Sequence, residues 1–421
     1  MLRKVTVRYL FLFIFWLAIL NSNSLAEQPL TLQDCLSLAR ENNPKLIQLK
    51  TSIEQSRVGV TSAYSSYYPS MSLSSSYRNN EVFSGEGTGS YSTSIGVSYP
   101  LYQGGYIRAG VKIAKAKIKI AQENYRQGED EIILSVKEAF FKILQKQEQI
   151  ALAEDVLKRR KEDLVFIKLK YDAGRESAPA VKESEANLSQ AEYDKQQAED
   201  ELTLAKIELN LLLGRPRRAE VSLRYEDEDI KFPSLDSLIR EAKTERPDIR
   251  SQRVDTEVLK TQITQAKSNY YPTISLSSSY GWQGTKLLNQ EGGGWSAGLS
   301  LSLSIFDGFS RKAKVKETTL SLKEQDAKIV ELEQQIEEEI EQAYSNWELA
   351  EKTIEVNNKT LQAKREMYQL TKLQYEQGLT SYFFLQQKES DLTSAENKQV
   401  NALCNLRVAI ARLENAWGRR S

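Results

Sequence analysis

The sequence predicts an α+β membrane protein. Two tandem structural repeats supply four β-strands per chain to a trimeric 12-stranded β-barrel, which a long α-helical barrel continues. Three observations point there. The phrase "YYPSMSLSSSY" (Tyr67–Tyr77) returns as "YYPTISLSSSY" (Tyr270–Tyr280). Both copies alternate small hydroxyl residues with aliphatic and aromatic ones, the period of two that belongs to a β-strand. Each is followed by a very long run of helix-forming Glu, Lys, Gln, Leu and Ala.

The chain opens with Arg3, Lys4 and Arg8, the apolar run "YLFLFIFWLAIL" (Tyr9–Leu20) and Ser24-Leu25-Ala26 before Glu27. That order predicts a cleaved signal peptide at 1–26. A bilayer-spanning helix needs about 20 apolar residues, more than this run holds. Cys35 follows no lipobox-like run of small residues, so N-terminal lipidation is not expected. In an oxidising compartment Cys35 and Cys404 could pair or remain two lone thiols, and spacing does not choose between these.

The duplication extends well beyond the opening phrase. Pro44 and Pro247 are 203 residues apart, and Gly104 and Gly308, Gly174 and Gly378, and Gly214 and Gly418 are each 204 apart. A single-residue insertion reconciles the two offsets. The first repeat is 27–214, with a hairpin at 68–102, and the second is 234–418, with a hairpin at 271–306. The segment 215–233 links them and 419–421 is a tail.

Each repeat opens on a helix with proline in its first turn, Pro44–Tyr64 and Pro247–Asn269. In the first hairpin Met71, Leu73, Ser75 and Tyr77 share one face, opposite Ser70, Ser72, Ser74 and Ser76. The returning strand sets Tyr91, Thr93, Ile95, Val97, Tyr99 and Leu101 against serines and Gly96. The second hairpin repeats this division, with Trp295, Ala297, Leu299, Leu301, Leu303 and Ile305 on its apolar side. A water-soluble sheet would carry Lys or Glu on its outer face. Small neutral hydroxyls facing a wet lumen and apolar groups facing lipid make the pattern of a transmembrane barrel. Tyr68, Tyr77, Tyr99, Tyr271, Tyr280, Trp282 and Trp295 are the expected membrane-interface aromatics.

Four strands cannot close a cylinder, because about eight is the minimum for one chain, and an open edge in hydrocarbon leaves costly unpaired backbone groups. Two chains would supply eight strands with a filled interior, whereas three supply twelve with room for a passage, so a homotrimer is expected.

The long helices run from Val111 to Ala173, interrupted only by Gly128, and from Arg311 to Gln377 with neither Gly nor Pro. At about 1.5 Å per residue the latter spans roughly 100 Å. Leu332, Ile336, Ile340 and Tyr344 advance four at a time, so the apolar stripe drifts around the helix and meets neighbours on two sides. Glycine turns end both helices, "KYDAGRESAP" at Gly174 and "QYEQGLTSYF" at Gly378. Shorter helices return from Pro179 to Leu213 and from Ser381 to Trp417. The two shorter helices of a repeat together match one long helix in length, which gives four rods per chain and twelve per trimer.

Several classes are excluded or weakened. Lys plus Arg equals Asp plus Glu at 57 each, so no basic surplus points to nucleic acid. Histidine is absent, and no G-x-S-x-G, H-E-x-x-H, P-loop or paired-Cys spacing occurs. No enzyme activity, catalytic residue, metal site or cofactor is expected. The competing reading is an exported periplasmic or surface coiled-coil scaffold or adhesin, which accounts for the helices but not for serine faces flanked by aromatic belts.

The doubled Tyr-Pro strand openings, the junctions "LYQGG" (Leu101–Gly105) and "IFDGF" (Ile305–Phe309), and the turns with Tyr171, Gly174, Ser177 and then Tyr375, Gly378, Ser381 resemble the outer-membrane efflux protein family of TolC-like channel-tunnels. The resemblance covers nearly the whole mature chain. It implies a channel in the outer membrane, extending into the periplasm, that serves tripartite efflux or type I secretion. Its implied partners are outer-membrane lipid, a periplasmic adaptor and an inner-membrane pump. It further implies that adaptor hairpins dock at those six turn residues and that the helix after Gly378 narrows the tunnel. Where some members carry a pair of inner aspartates, alignment through Gly378, Leu392 and Ala395 places Phe384 and Gln387. The expected gate is therefore an apolar constriction of three Phe384 side chains with Gln387 one turn above; the alternative is that Phe384 packs between helices.

Overall fold

The computed structural model describes residues 29–80, 88–225, 232–285 and 292–418. The expected signal peptide, the middle of the linker, both hairpin loops and the tail lie outside the described residues. The chain forms two compact units, one from Met1–Ile47, Glu129–Leu238 and Glu339–Ser421, the other from Gln48–Gly128 and Ile239–Glu338. Each unit takes chain from both repeats, so the sequence duplication does not coincide with the structural division.

The second unit carries the strands. A helix, α2 (Pro44–Ser65), leads into β1 (Ser70–Asn80) and β2 (Thr88–Gln103), and α6 (Pro247–Ser268) leads into β3 (Thr273–Gly284) and β4 (Gly294–Ser302). The four strands form one antiparallel meander in the order β1-β2-β3-β4. Its register holds the two chemistries apart across every strand. Leu73 faces Ile95, Ile95 faces Tyr280 and Tyr280 faces Trp295, while Ser74 faces Ser94 and Ser279 faces Ser296. A one-residue slip would mix the faces completely, which is why the alternation specifies the pairing.

One expected position is corrected. The ladder shifts between Pro100 and Tyr102, so Tyr102 instead of Leu101 opposes Ile274. Proline has no N–H to donate to the ladder, and a bulge there absorbs the lost bond. β4 also ends at Ser302, which leaves Leu303 and Ile305 beyond the strand.

The strand-to-helix junctions follow. Gly104, Gly105 and Gly308 all adopt positive φ, but the position matching Gly105 is Phe309, a non-glycine residue at φ 68°. Arg311 secures this turn. It donates to Asp307 at 2.9 Å and to the carbonyls of Asn269 and Ile305, and it lies 5.1 Å from the centre of the Tyr270 ring. The long helices are α3 (Tyr106–Asp172) and α7 (Ser310–Glu376), 67 residues each. α3 begins five residues before the expected Val111 and runs through Gly128, where a Cβ would overlap Leu49; the glycine admits α2 at close range.

Of the remaining helices, three lie in the first unit and one straddles the division between Leu238 and Ile239. Two were not foreseen, α1 (Leu32–Asn42) and α5 (Leu235–Glu245). Thr31 and Asp34 form a reciprocal cap at the start of α1, an aspartate version of the capping box. The returning helices are α4 (Ala178–Leu212) and α8 (Tyr382–Trp417). Phe140, Ile143, Leu209, Leu213 and Leu413 are fully enclosed with Cys35 and Leu36. A buried ion pair, Lys137 to Glu414 at 2.7 Å, ties α3 to α8. Cys35 and Cys404 are both buried and both free.

Gly104 supplies a test of the junction. Its φ is +58° and an added Cβ would sit 2.5 Å from the Ser268 carbonyl oxygen. Gly104→Ala is expected to cost about 1–3 kcal/mol of backbone strain before any clash. The denaturation midpoint of the detergent-solubilised protein should fall, whereas Gly59→Ala, inside α2 with no atom near the new methyl, should not lower it.

Candidate functional site

Two surfaces can carry function, one in each unit. On the sheet, the apolar face is bare: Met71 is 76% and Leu299 67% exposed, and Leu73, Leu301 and Trp295 are exposed with them. Three polar side chains on that face lose their hydrogen-bonding demand locally. Ser75 and Thr93 bond each other at 2.9 Å, and Ser278 donates to the Ser296 carbonyl. The opposite face is a lattice of serines, with Ser74–Ser94, Ser275–Ser300 and Ser279–Ser296 pairs at 2.7–3.0 Å.

Aromatic rings mark both ends of the apolar face. Near the loops, Tyr77 and Tyr91 stack at 4.8 Å, Tyr280 and Trp282 lie 6.1 Å apart, and Trp295 is paired to Tyr280 across the ladder. Near the helices are Tyr68, Tyr99 and Tyr271, of which Tyr99 is half-buried and the others exposed. Tyr91 and Tyr99 are eight residues apart on β2. That is about 27 Å along the strand, or about 21 Å across a bilayer at a 40° tilt, against an apolar band of about 25 Å.

The second surface lies at the helical turns. Gly174 and Gly378 take φ of +69° and +77°. Their amides bond back to the carbonyls of Tyr171 and Tyr375, while Arg175 and Leu379 reach Lys170 and Gln374, an arrangement that closes a helix with a left-handed residue. Ser177 and Ser381 then cap α4 and α8 by accepting from Ala180 and Phe384. The two turns are alike in backbone and unlike in burial: Tyr171 is 45% exposed and Tyr375 only 3%. Tyr375 donates to Glu176 at 2.8 Å, and the Lys170 ammonium lies 3.8 Å from its ring centre while donating to its carbonyl. It joins Ile167, Tyr368, Tyr382, Leu385 and Leu392 in an apolar cluster beneath the turns.

Phe384 and Gln387 lie on the uncovered side of α8, opposite Leu385, Glu389 and Leu392. Phe384 is 42% exposed, with the Lys388 ammonium 4.9 Å from its ring centre. Gln387 donates to Asp391 at 3.1 Å, and Asp391 pairs with Lys364 at 2.9 Å.

Sequence reasoning missed the polar cluster behind them. Glu389 is fully buried. Arg160 Nη1 lies 2.6 Å from its Oε2, Arg159 Nε lies 3.6 Å from its Oε1, and Arg159 also pairs with Glu396 at 2.9 Å. Asp163 on α3 is buried beside it; Lys372 of α7 acts on Asp163, and Tyr368 of α7 interacts with both carboxyl groups. Burial pushes Glu389 up to about 7 against the pull of the two arginines, and it raises Asp163 as well. Two facing carboxyl groups have no donor between them unless one keeps its proton, and Glu389 is the one that does. The matching residue of the first repeat, Glu185, is partly exposed and paired to Lys168 and Lys182. A comparison of the copies shows a lysine-rich surround at Glu185, but nothing in the sequence signals that its counterpart is enclosed.

A family model described as "Outer membrane efflux protein" matches residues 35–215 and 238–419. Protein CyaE of Bordetella pertussis is 23% identical over 307 residues, 71% of this chain and 65% of that protein. Outer membrane protein TolC of Vibrio cholerae is 21% identical over 313 residues, 72% of this chain and 71% of the other. The matched stretch thus covers about two thirds of these relatives' own length. Among solved structures, CusC aligns with a TM-score of 0.80 at 18% identity, covering 92% of this chain and 91% of that one. The open-state MtrE outer membrane channel of Neisseria gonorrhoeae aligns at 0.77 with 22% identity, covering 92% and 88%. At these identities the likeness to the solved structures is one of fold.

The buried carboxyl predicts a pH dependence. Below about 4.5, the ordinary value, Glu389 is protonated in folded and unfolded chains alike; between that and about 7 only the folded chain keeps the proton. Stability from this group is therefore full at acid pH and falls as pH rises through that window. Glu389→Gln, neutral throughout, should remove that slope. The check is the difference in melting temperature between variant and parent, followed from pH 4.5 to 7.5, which should move steadily in the variant's favour.

Proposed function

Because the chain belongs to the outer membrane efflux protein family, we propose that it is the homotrimeric outer-membrane channel of a tripartite efflux or type I secretion system. In this reading it takes substrates from an inner-membrane pump and periplasmic adaptor and releases them outside the cell. One observation carries the proposal: a four-stranded sheet whose faces are segregated into hydroxyl and apolar sides and whose edge strands, β1 and β4, pair with no strand on their outer sides among the described residues. Each unpaired backbone group in hydrocarbon costs several kcal/mol, so sister strands complete the ladder. Twelve strands place the serine face around a water-filled passage.

The remaining assignments follow from this reading. The turns at Tyr171, Gly174, Ser177 and at Tyr375, Gly378, Ser381 are the adaptor-docking tips. The uncovered side of α8 turns Phe384 and Gln387 toward the threefold axis, where three phenylalanines restrict the resting conduit.

Paired substitutions test the orientation of the sheet. Leu299→Lys puts a charge on the lipid side at a cost of about 2–4 kcal/mol near the midplane, so the detergent-requiring oligomer should be lost from the outer-membrane fraction. Ser300→Lys, one residue on, should assemble normally. Equal tolerance of both, or release of the parent protein by a mild salt wash, favours the exported scaffold instead. The gate has its own measurement: reconstituted Phe384→Ala protein should carry a larger resting current than the parent, and an unchanged current removes Phe384 from that role.

A further inference from the structure

The four strands are almost free of charge. Across β1, β2, β3 and β4 the single ionisable residue bearing a charge at neutral pH is Arg78. It follows Ser70, Ser72, Ser74 and Ser76 on the hydroxyl face and is paired with Ser90 across the ladder. Its neighbours on that face, through Ser76–Ser92 and Ser92–Gln283, are neutral as well. Its side chain is exposed, and among the described residues no carboxylate pairs with it. Along the strand it stands beside Tyr77, at the level of the aromatic belt next to the loops.

Position decides what this arginine can do. On the apolar face at the end of a strand it would signal lipid headgroups, but the register places it with the serines, toward water. In the shared barrel that the proposed function requires, two sister chains bring two further copies to the same height. Twelve strands about 4.8 Å apart and tilted about 40° enclose a backbone cylinder of roughly 12 Å radius. Long side chains reaching inward from that wall bring three guanidinium groups within about a Debye length, roughly 8 Å, of a solute on the axis. With no acidic residue on the strands to offset them, their fields add in a passage bounded by low-dielectric walls.

We propose that Arg78, repeated three times, is the charge-selecting ring at the outer end of the conduit, a binding station for anionic solutes such as carboxylates and phosphates. Arginine suits the role because it stays protonated and presents a planar fork to carboxylate and phosphate oxygens. The serines below it hold solute by neutral hydrogen bonds alone, so charge discrimination in the membrane-embedded part falls to one residue per chain.

The inference rests on the channel reading, and side-specific block separates the two. Trimers reconstituted in planar bilayers are bathed in dilute KCl, and citrate is added to the loop side. The parent channel should be blocked, Arg78→Lys should remain blocked, and Arg78→Ala should need at least tenfold more citrate. Arg78→Glu should be insensitive to citrate, with its cation permeability raised. Block of the parent should fade near 1 M salt, where screening shortens to about 3 Å. Conducting Arg78→Ala channels with parental block overturn the ring and leave the channel standing. So does block that follows Glu81→Gln plus Glu86→Gln, residues outside the described ones, instead of Arg78. Failure of the parent protein to conduct at all overturns the channel itself.

Discussion

The controlling constraint is that hydrocarbon leaves no backbone N–H or carbonyl unpaired without a cost of several kcal/mol. A meander of four strands satisfies every interior ladder and leaves its two outer edges open. Among the described residues no further strand covers those edges, and the exposed aromatic and aliphatic face suits the sheet to lipid. Membrane insertion and oligomerisation are therefore one requirement. The serine lattice is its other half: Ser74–Ser94, Ser275–Ser300 and Ser279–Ser296 bond across the ladder, so that face is polar and, Arg78 apart, uncharged.

The helical unit meets a different difficulty. Helices this long cannot be held by their own propensity and need neighbours along their length. Packing there is apolar at Phe140 and Ile143 and polar at Lys137 and Glu389, all of them buried. Near the turns both modes coincide. Tyr375 is enclosed by Phe166, Tyr382 and the Lys170 ammonium, while its hydroxyl reaches across to Glu176. Apart from Tyr382, which follows the second turn itself, those contacts link the second turn to the first and to α3. The first turn's Tyr171 stays outside, so an ancestral equivalence has become a division between an anchoring tyrosine and a surface one.

What was legible in the sequence follows from the range of each signal. Strand alternation and helix length are local properties, and the hairpins, long helices and glycine turns stood where their periods and Gly residues placed them, within a few residues. The bulge at Pro100–Tyr102 was missed because proline's missing donor was weighed less than the run of alternation around it. α1 and α5 were missed because each is short and its caps, Thr31–Asp34 in one case, were overshadowed by Pro44 and Pro247, which open the longer helices that follow. The Asp163–Glu389 cluster had no local signal at all: its carboxyl groups are far apart in the chain, and burial, which determines its chemistry, appears only when α3, α7 and α8 are packed together.

That burial also links protonation to packing at the turns. Glu389 keeps its proton because α3 and α8 exclude water from it, and separation of those helices that admitted water would return its affinity toward the ordinary 4.5. By linkage, such an opening releases protons above that value, and acid opposes it. Arg159 and Arg160 set the limit in the other direction, since an ionised Glu389 left between them is paired and not orphaned. The cluster is thus tolerable in both protonation states but tightest in one, whereas the buried Lys137–Glu414 ion pair at 2.7 Å holds α3 against α8.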